Sequence, residues 1–208
     1  MNCQDNMVAD FDLIISRLKK YIGKERLLHT IGVYKCAEML GKVLLPHRVD
    51  ELCVAALLHD IAKELDREEM MKLISYANVE LSEEDINTVS ALHSFAGAEL
   101  AKSDFRDLIT EDIYSAIFNH TLGQVGMSLF DKIIFIADYI EDGRVNDSAK
   151  EVRAFLRGAI SDDVQRNICA LDRAIVMSID NTSVYVLSNG GRVNSRSLLL
   201  RESLINSI

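Results

Sequence analysis

Histidine is scarce in this chain, five residues in 208, and four of the five sit against apolar runs. His29 follows RLL, His59 follows VAALL, His93 follows VSAL and His120 closes IYSAIFN. Asp60 stands directly after His59, and Asp138 comes after KIIFIA. A polar group buried without a partner costs roughly 1–3 kcal/mol, and an unpaired charge costs more. Scattered through a core, these six groups would sum to a penalty comparable with the stability of a whole domain, ~5–15 kcal/mol. Gathered on one ion, they lose most of it. Imidazole together with carboxylate suits Fe, Mn, Zn or Ni better than Mg or Ca, and no thiolate lies nearby to close a structural zinc site. Adjacent residues on a helix point about 100° apart. His59 and Asp60 are therefore expected to grip one ion from the two sides of a helix. His47, beside the only proline, reads as a surface-loop histidine.

The elements that must position these groups are helices. With 10 Gly and 1 Pro the chain has few breakers, and apolar residues recur at spacings of three and four almost throughout. Phe11, Ile14, Ile15 and Leu18 form a first stripe, and helices are predicted over about 24–43, 48–63, 93–103, 110–120, 128–142 and 195–206. Asp66 looks like a helix N-cap, and Ser82 with Asp85 like a capping box. Ser161 with two aspartates opens a long helix running to about 188, where NGG is a strong stop. SVYVL, 183–187, has β composition and reads as helix end or extended loop. No alternating strand pattern, repeat or low-complexity linker interrupts this, so the class is all-α.

Composition narrows the partners. A net charge of −9 and no Lys/Arg cluster argue against nucleic acid. A phosphorylated small molecule remains open if positive potential is made locally, by a metal ion or a few basic side chains. Cys3, Cys36, Cys53 and Cys169 form no CxxC pair and read as incidental thiols in a reducing compartment. The polar, acidic N-terminus is no signal peptide, and no apolar run approaches the ~20 residues of a membrane span. The expectation is a cytoplasmic protein with no membrane or nucleic-acid partner.

His29, His59-Asp60 and Asp138 resemble the H…HD…D pattern of the HD-domain metal-dependent phosphohydrolases. The resemblance extends to RLLHTIGV (26–33), LLHDIAK (57–63), HSFAGAELA (93–101), AIFNHTLG (116–123) and KIIFIADYIEDGR (132–144). In that order these are similar to the YqeK-type bacterial subfamily. Its members are symmetrical dinucleoside tetraphosphate hydrolases, and the family has also carried a label linking it to NAD metabolism. The likeness spans about 26–144 and continues more weakly beyond. It implies one HD-domain helical bundle over 1–208, with a metal-site core at about 24–144, C-terminal helices at about 147–208 and a long C-terminal helix. It further implies hydrolysis of nucleotide phosphoanhydrides, diadenosine tetraphosphate being cut symmetrically into two ADP. The alternatives kept beside it are an HD phosphatase or phosphodiesterase of another nucleotide, and a non-catalytic nucleotide sensor. No residue of the metal pattern is missing, which argues against the sensor.

On this resemblance His29, His59, Asp60 and Asp138 are the metal ligands. The ion is expected to be a divalent transition metal, iron first, with Mn, Ni, Co or Zn as alternatives, and one ion or two. A bound metal lowers the pKa of water toward ~7. Asp60, Lys63, His93 and His120 are the catalytic candidates. His93 and His120 either hold a second ion bridged by Asp60 or contact phosphate as donors or acids, with a slight preference for the latter. Arg26, Lys63 and Arg144 fit phosphate binding, although each alone would pass for a surface cation. His29, His93, His120, Thr121, Thr182 and Tyr185 complete the substrate-binding set. Ser94 reads as local backbone chemistry. Glu141 and Asp142 either orient ligands or simply end a helix. A homodimer is allowed and not required.

Overall fold

Short polar side chains write most of the helix starts. The computed structural model describes residues 10–77 and 80–207. Asp10, Asp66, Ser82, Thr110, Ser128, Asn146, Asp163 and Asn194 each accept a first-turn backbone N–H. Each thereby satisfies a donor that the helix itself leaves free. The resulting elements are α1 Phe11–Leu18, α2 Lys24–Leu44, α3 Val49–Leu58, α4 Arg67–Ile74, α5 Glu83–Asn87, α6 Leu92–Asp104 and α7 Glu111–Asn119. They continue with α8 Leu129–Ile140, α9 Asp147–Ala159, α10 Val164–Ser188 and α11 Ser195–Ile205. Among the described residues there is no strand, so the fold class is all-α as predicted. None of the described helices is long and apolar enough to cross a membrane.

α3 is the centre. Every residue from Leu52 to Leu58 is buried, the pattern of a helix enclosed on all sides. α2, α7 and α8 pack around it, α6 lies against α7, and α10 lies against α8, α9 and α11. Capping boxes at Asp66/Glu69, Ser82/Asp85 and Ser128/Asp131 set three of the starts. α10 ends as the NGG stretch predicts. Gly190, at φ +73°, lets its own N–H reach Leu187 O and the Gly191 N–H reach Val186 O, the paired bonds that close a helix on a left-handed residue.

Two boundaries differ from expectation. α3 stops at Leu58, and 59–65 continue as i→i+3 turns, Ile61 N–H to Leu58 O and Lys63 N–H to Asp60 O. The His59-Asp60 pair thus sits at a helix end and not within a helix. α8 stops at Ile140, before Gly143, because Glu141 turns to extended backbone at ψ 153°. SVYVL forms the last turns of α10, the helix-end reading of the two expected for it. Cys3 and the acidic N-terminus lie outside the described residues.

Candidate metal centre and adjoining cavity

Five segments bring the ionisable groups together. His29 comes from the second turn of α2, His59 and Asp60 from the end of α3, His93 from the start of α6, His120 from the end of α7 and Asp138 from the last turn of α8. The histidines form an arc with neighbouring ring centroids 5.5 Å (29–59), 5.0 Å (59–120) and 5.0 Å (120–93) apart. Asp60, 2% exposed, lies at its centre. Its Oδ2 is 3.7 Å from His29 Nε2 and 3.4 Å from His59 Nε2, and its Oδ1 is 3.1 Å from His93 Nε2 and 3.6 Å from His120 Nε2. Asp138 Oδ1 closes the near side, 3.0 Å from His29 Nε2 and 3.9 Å from His59 Nε2. Two groups of donor atoms, each within 4.8 Å of one another, result: His29, His59 and Asp138, and His59, Asp60 and His120.

The donors are aimed inward. His59 Nδ1 is 2.7 Å from Ala56 O and His120 Nδ1 is 2.7 Å from Ile117 O. A carbonyl only accepts, so both rings carry their hydrogen on Nδ1, and Nε2 of the neutral ring is left as a lone pair. These contacts are available because the last carbonyls of α3 and α7 have no partner within their helices. His29 Nε2, His59 Nε2 and Asp60 Oδ1 are buried without a hydrogen-bond partner. Buried polar atoms are rarely left so. Nitrogen and carboxylate donors converging in this way fit a divalent transition metal.

The charge states agree. Burial alone would push the Asp60 carboxyl up, yet the imidazoles of His59, His120 and His93 hold it well below the usual range. Burial acts the same way on Asp138, and contact with His29 and Arg144 outweighs it. Burial lowers His120 and takes His93 down to about 4, so both rings are neutral at pH 7. His59 is the exception: burial would lower it, but the Asp60 and Asp138 carboxylates raise it on balance. Both carboxylates are therefore charged and two of the rings are free to ligate.

Basic residues surround the carboxylates as the sequence suggests. Arg26 Nη1 donates to Asp60 Oδ2 at 2.8 Å, and Arg144 Nη2 donates to Asp138 Oδ1 at 2.6 Å. Lys63 Nζ is 3.8 Å from Asp60 Oδ1 and 3.0 Å from His93 Nε2. Burial lowers the Lys63 pKa. Thr121 Oγ1 lies 3.2 Å from His93 Nε2. A cavity of about 850 Å³ opens from this point, with His120, Thr121 and Asp138 at its inner end, Ser178 and Thr182 of α10 along one wall and Glu84 and Arg192 further out. Ligand sites typically occupy ~300–1,000 Å³, so this one is large.

All the predicted site residues but one come together here. Tyr185 is 70% exposed and does not line the cavity, one turn along α10 from Thr182, which does. Ser94 donates to Ala91 O, the local role expected, and His47 is exposed. Glu141 and Asp142 separate. Glu141 is 3% exposed and reaches His29, while Asp142 pairs outside with Arg157. Sequence reading missed the wall made by Ser178 and by the 191–197 segment. Neither carries a pattern; the packing of α10 on α8 places Ser178 near Asp138, and the return of the chain after α10 adds the 191–197 segment to the same cavity.

Comparison with known proteins points one way. Residues 26–143 match the model of the HD domain family. A protein of Bacillus subtilis named bis(5′-nucleosyl)-tetraphosphatase, symmetrical, is 31% identical over 190 residues, 91% of this chain and 94% of that protein. One of the same name from Halalkalibacterium halodurans is 33% identical over 190 residues, 90% of this chain and 93% of the relative. A crystal structure from Clostridium acetobutylicum, described as a predicted HD superfamily hydrolase involved in NAD metabolism, superposes with a TM-score of 0.82 at 34% identity, over 96% of this chain and 99% of that one.

Proposed function

This chain belongs to the HD domain family, and we propose that within it the chain hydrolyses diadenosine tetraphosphate symmetrically, giving two ADP. The observation that carries the reading is a cavity of about 850 Å³ opening directly onto the His/Asp cluster, in a chain whose relatives over nine-tenths of its length bear that activity as their name.

His29, His59, Asp60 and Asp138 would hold the ion. When bound there, a divalent metal supplies Lewis acidity at a phosphoryl oxygen. Iron is the first candidate for an imidazole–carboxylate donor set, with Mn, Co, Ni and Zn behind it. Asp60, Asp138 and Glu141 are balanced nearby by Arg26, Lys63 and Arg144. A divalent ion therefore tips the site positive inside a chain of net charge −9, which is what a polyphosphate needs.

Hydrolysis joins the oxygen of water to one inner phosphorus, breaks the bridging P–O bond to the other inner phosphate, and returns a proton to solvent or to the departing ADP. Arg26 and Arg144, beside Asp60 and Asp138, would neutralise the equatorial phosphoryl oxygens. Lys63, its pKa lowered by burial, and neutral His93 beside it would manage the proton at the leaving oxygen. The nucleoside extends along Thr121, Ser178 and Thr182. His120, with Nε2 presented as a lone pair, would serve better as a metal ligand beside Asp60 than as a donor to phosphate.

The test is a product assay. Purified protein loaded in turn with Fe(II), Mn(II), Co(II), Ni(II) or Zn(II) is given diadenosine tetraphosphate, and products are resolved by ion exchange. ADP as the sole product is expected. AMP with ATP, or no turnover with any metal, rejects the reading.

A further inference from the structure

His29 differs from the other two inward-facing histidines in what holds its far nitrogen. His59 and His120 stand at helix ends and use main-chain carbonyls two residues before the last helical residue. His29 lies in the second turn of α2, where the carbonyls behind it are spent in the helix ladder. Its Nδ1 instead lies 3.1 Å from Glu141 Oε1. The other Glu141 oxygen accepts the Gly143 N–H at 2.6 Å.

Two further features serve this one carboxylate. A Cβ on Gly32 would come 2.2 Å from Glu141 Oε2, and a Cβ on Gly143 would come 2.9 Å from both Glu141 oxygens. Gly32 is inside α2, one turn after His29, where glycine weakens a helix. The close approach of the carboxylate is a physical reason for it. The turn that carries Glu141 is pinned from α9. Arg153, its side chain 13% exposed, donates to the carbonyls of Ile140 at 2.5 Å, of Glu141, and of Arg144 at 2.8 Å.

We propose that Glu141 is a positioning residue of the metal centre: it accepts the Nδ1–H of His29, fixes the ring with Nε2 toward Asp60 and Asp138, and is the reason residue 32 is glycine. The inference rests on the reading of the cluster as a metal site. A neutral imidazole carries one N–H, so committing it to Glu141 decides which nitrogen ligates. The same turn sends Arg144 to Asp138, so two ligands from different helices take their orientation from one short segment.

The test uses the full chain with Glu141→Gln, Glu141→Ala, Gly32→Ala and the double variant Gly32→Ala/Glu141→Ala. Manganese affinity is measured by competition with a chelator. Long-range ¹H–¹⁵N correlation of the metal-free protein reads the His29 tautomer, assigned with His29→Gln. Wild type should show the Nδ1–H form. Glu141→Ala and Gly32→Ala should each lose roughly 10–100-fold in manganese affinity, and Glu141→Gln, which still offers an oxygen, should lose less. The double variant should bind no more weakly than Glu141→Ala alone, since without the carboxylate the space over Gly32 is unused. Equal affinity in wild type and Glu141→Ala, additive losses in the double variant, or an Nε2–H tautomer in wild type overturns the proposal. If wild type takes up no manganese, the metal reading falls, and the tautomer still decides: Nδ1–H supports the Glu141 contact and Nε2–H refutes it.

Discussion

Removing the Asp85 carboxylate tests how the cavity wall is built. Asp85 is 3% exposed. Its Oδ2 accepts from Ser82 N–H at 3.2 Å and from Arg196 Nη2 at 3.1 Å, and its Oδ1 accepts from Asn194 Nδ2 at 3.2 Å. One side chain thus closes the capping box of α5 and ties the start of α11 to it, fixing the 191–197 segment that lines the cavity. Asp85→Ala should cost less than the sum of the three bonds, which at about 1.5–3 kcal/mol for each bond to a charged group would overstate it. Asn194 keeps Thr88 Oγ1 at 3.0 Å, and Arg196, its side chain 19% exposed, can turn to water. A net loss of ~3 kcal/mol lowers Tm by roughly 6–12 °C in a chain of this size. Burial alone would raise the Asp85 pKa, but Arg196, Asn194 and Ser82 hold it below the usual value. The unfolded chain therefore binds the proton more readily. The carboxylate's contribution is complete above the unfolded pKa of ~3.9 and is lost as pH falls through the lower folded value. Calorimetry should find a constant gap between wild type and variant from about pH 6 to 8, closing below about pH 4. With the wall loosened, KM for diadenosine tetraphosphate should rise on the order of tenfold, the equivalent of ~1.4 kcal/mol, with bound metal unchanged. A Tm gap below about 2 °C at pH 7 refutes the energetic argument. An unchanged KM beside a large Tm loss refutes the assignment of this wall to the substrate.

Three other outcomes are expected. Asp60→Ala should lose its metal by elemental analysis and its turnover, because this carboxylate touches every imidazole of the arc, while His47→Ala should change neither; a metal-replete Asp60→Ala would displace the centre. His120→Ala should lower the metal content per chain, whereas His93→Ala should keep its metal and lose turnover, and the opposite pattern would exchange their roles. Burial pushes the Cys36 and Cys53 thiols up to about 12, so both should resist iodoacetamide at pH 8 in the folded protein and react in urea, as peptide mass spectrometry would show; rapid labelling of the native protein would contradict their placement in the core.

Much of the helical architecture was legible because its signals are local. N-caps and capping boxes act over three residues, and the stripe of α10 and its Gly190 stop are matters of periodicity and of backbone freedom at one position. The metal donors were legible for a different reason. A histidine or aspartate inside an apolar run needs a partner wherever the run folds, so His29, His59, Asp60, His93, His120 and Asp138 could be named before their neighbours were known. The cost of burying them apart argued for one site, and the resemblance to HD-domain sequences supplied which of them are ligands.

Tertiary structure decided what depends on the free space between elements. It placed the His59-Asp60 pair at a helix end, where unsatisfied carbonyls can fix an imidazole tautomer, although the apolar pattern alone continues the helix to residue 63. It carried Thr182 to the cavity and left Tyr185, three residues later on the same helix, in solvent, because about 100° per residue means nothing until the helix has a neighbour. It separated Glu141 from Asp142, identical in charge and adjacent in sequence. One turns inward through a gap that Gly32 leaves open, and the other faces Arg157 outside. Residue type and spacing reveal which groups cannot stand alone in a core, since that cost belongs to the group itself. Which atom of each group meets which partner depends on how α2, α3, α7 and α8 pack, and no stretch of the chain carries that by itself.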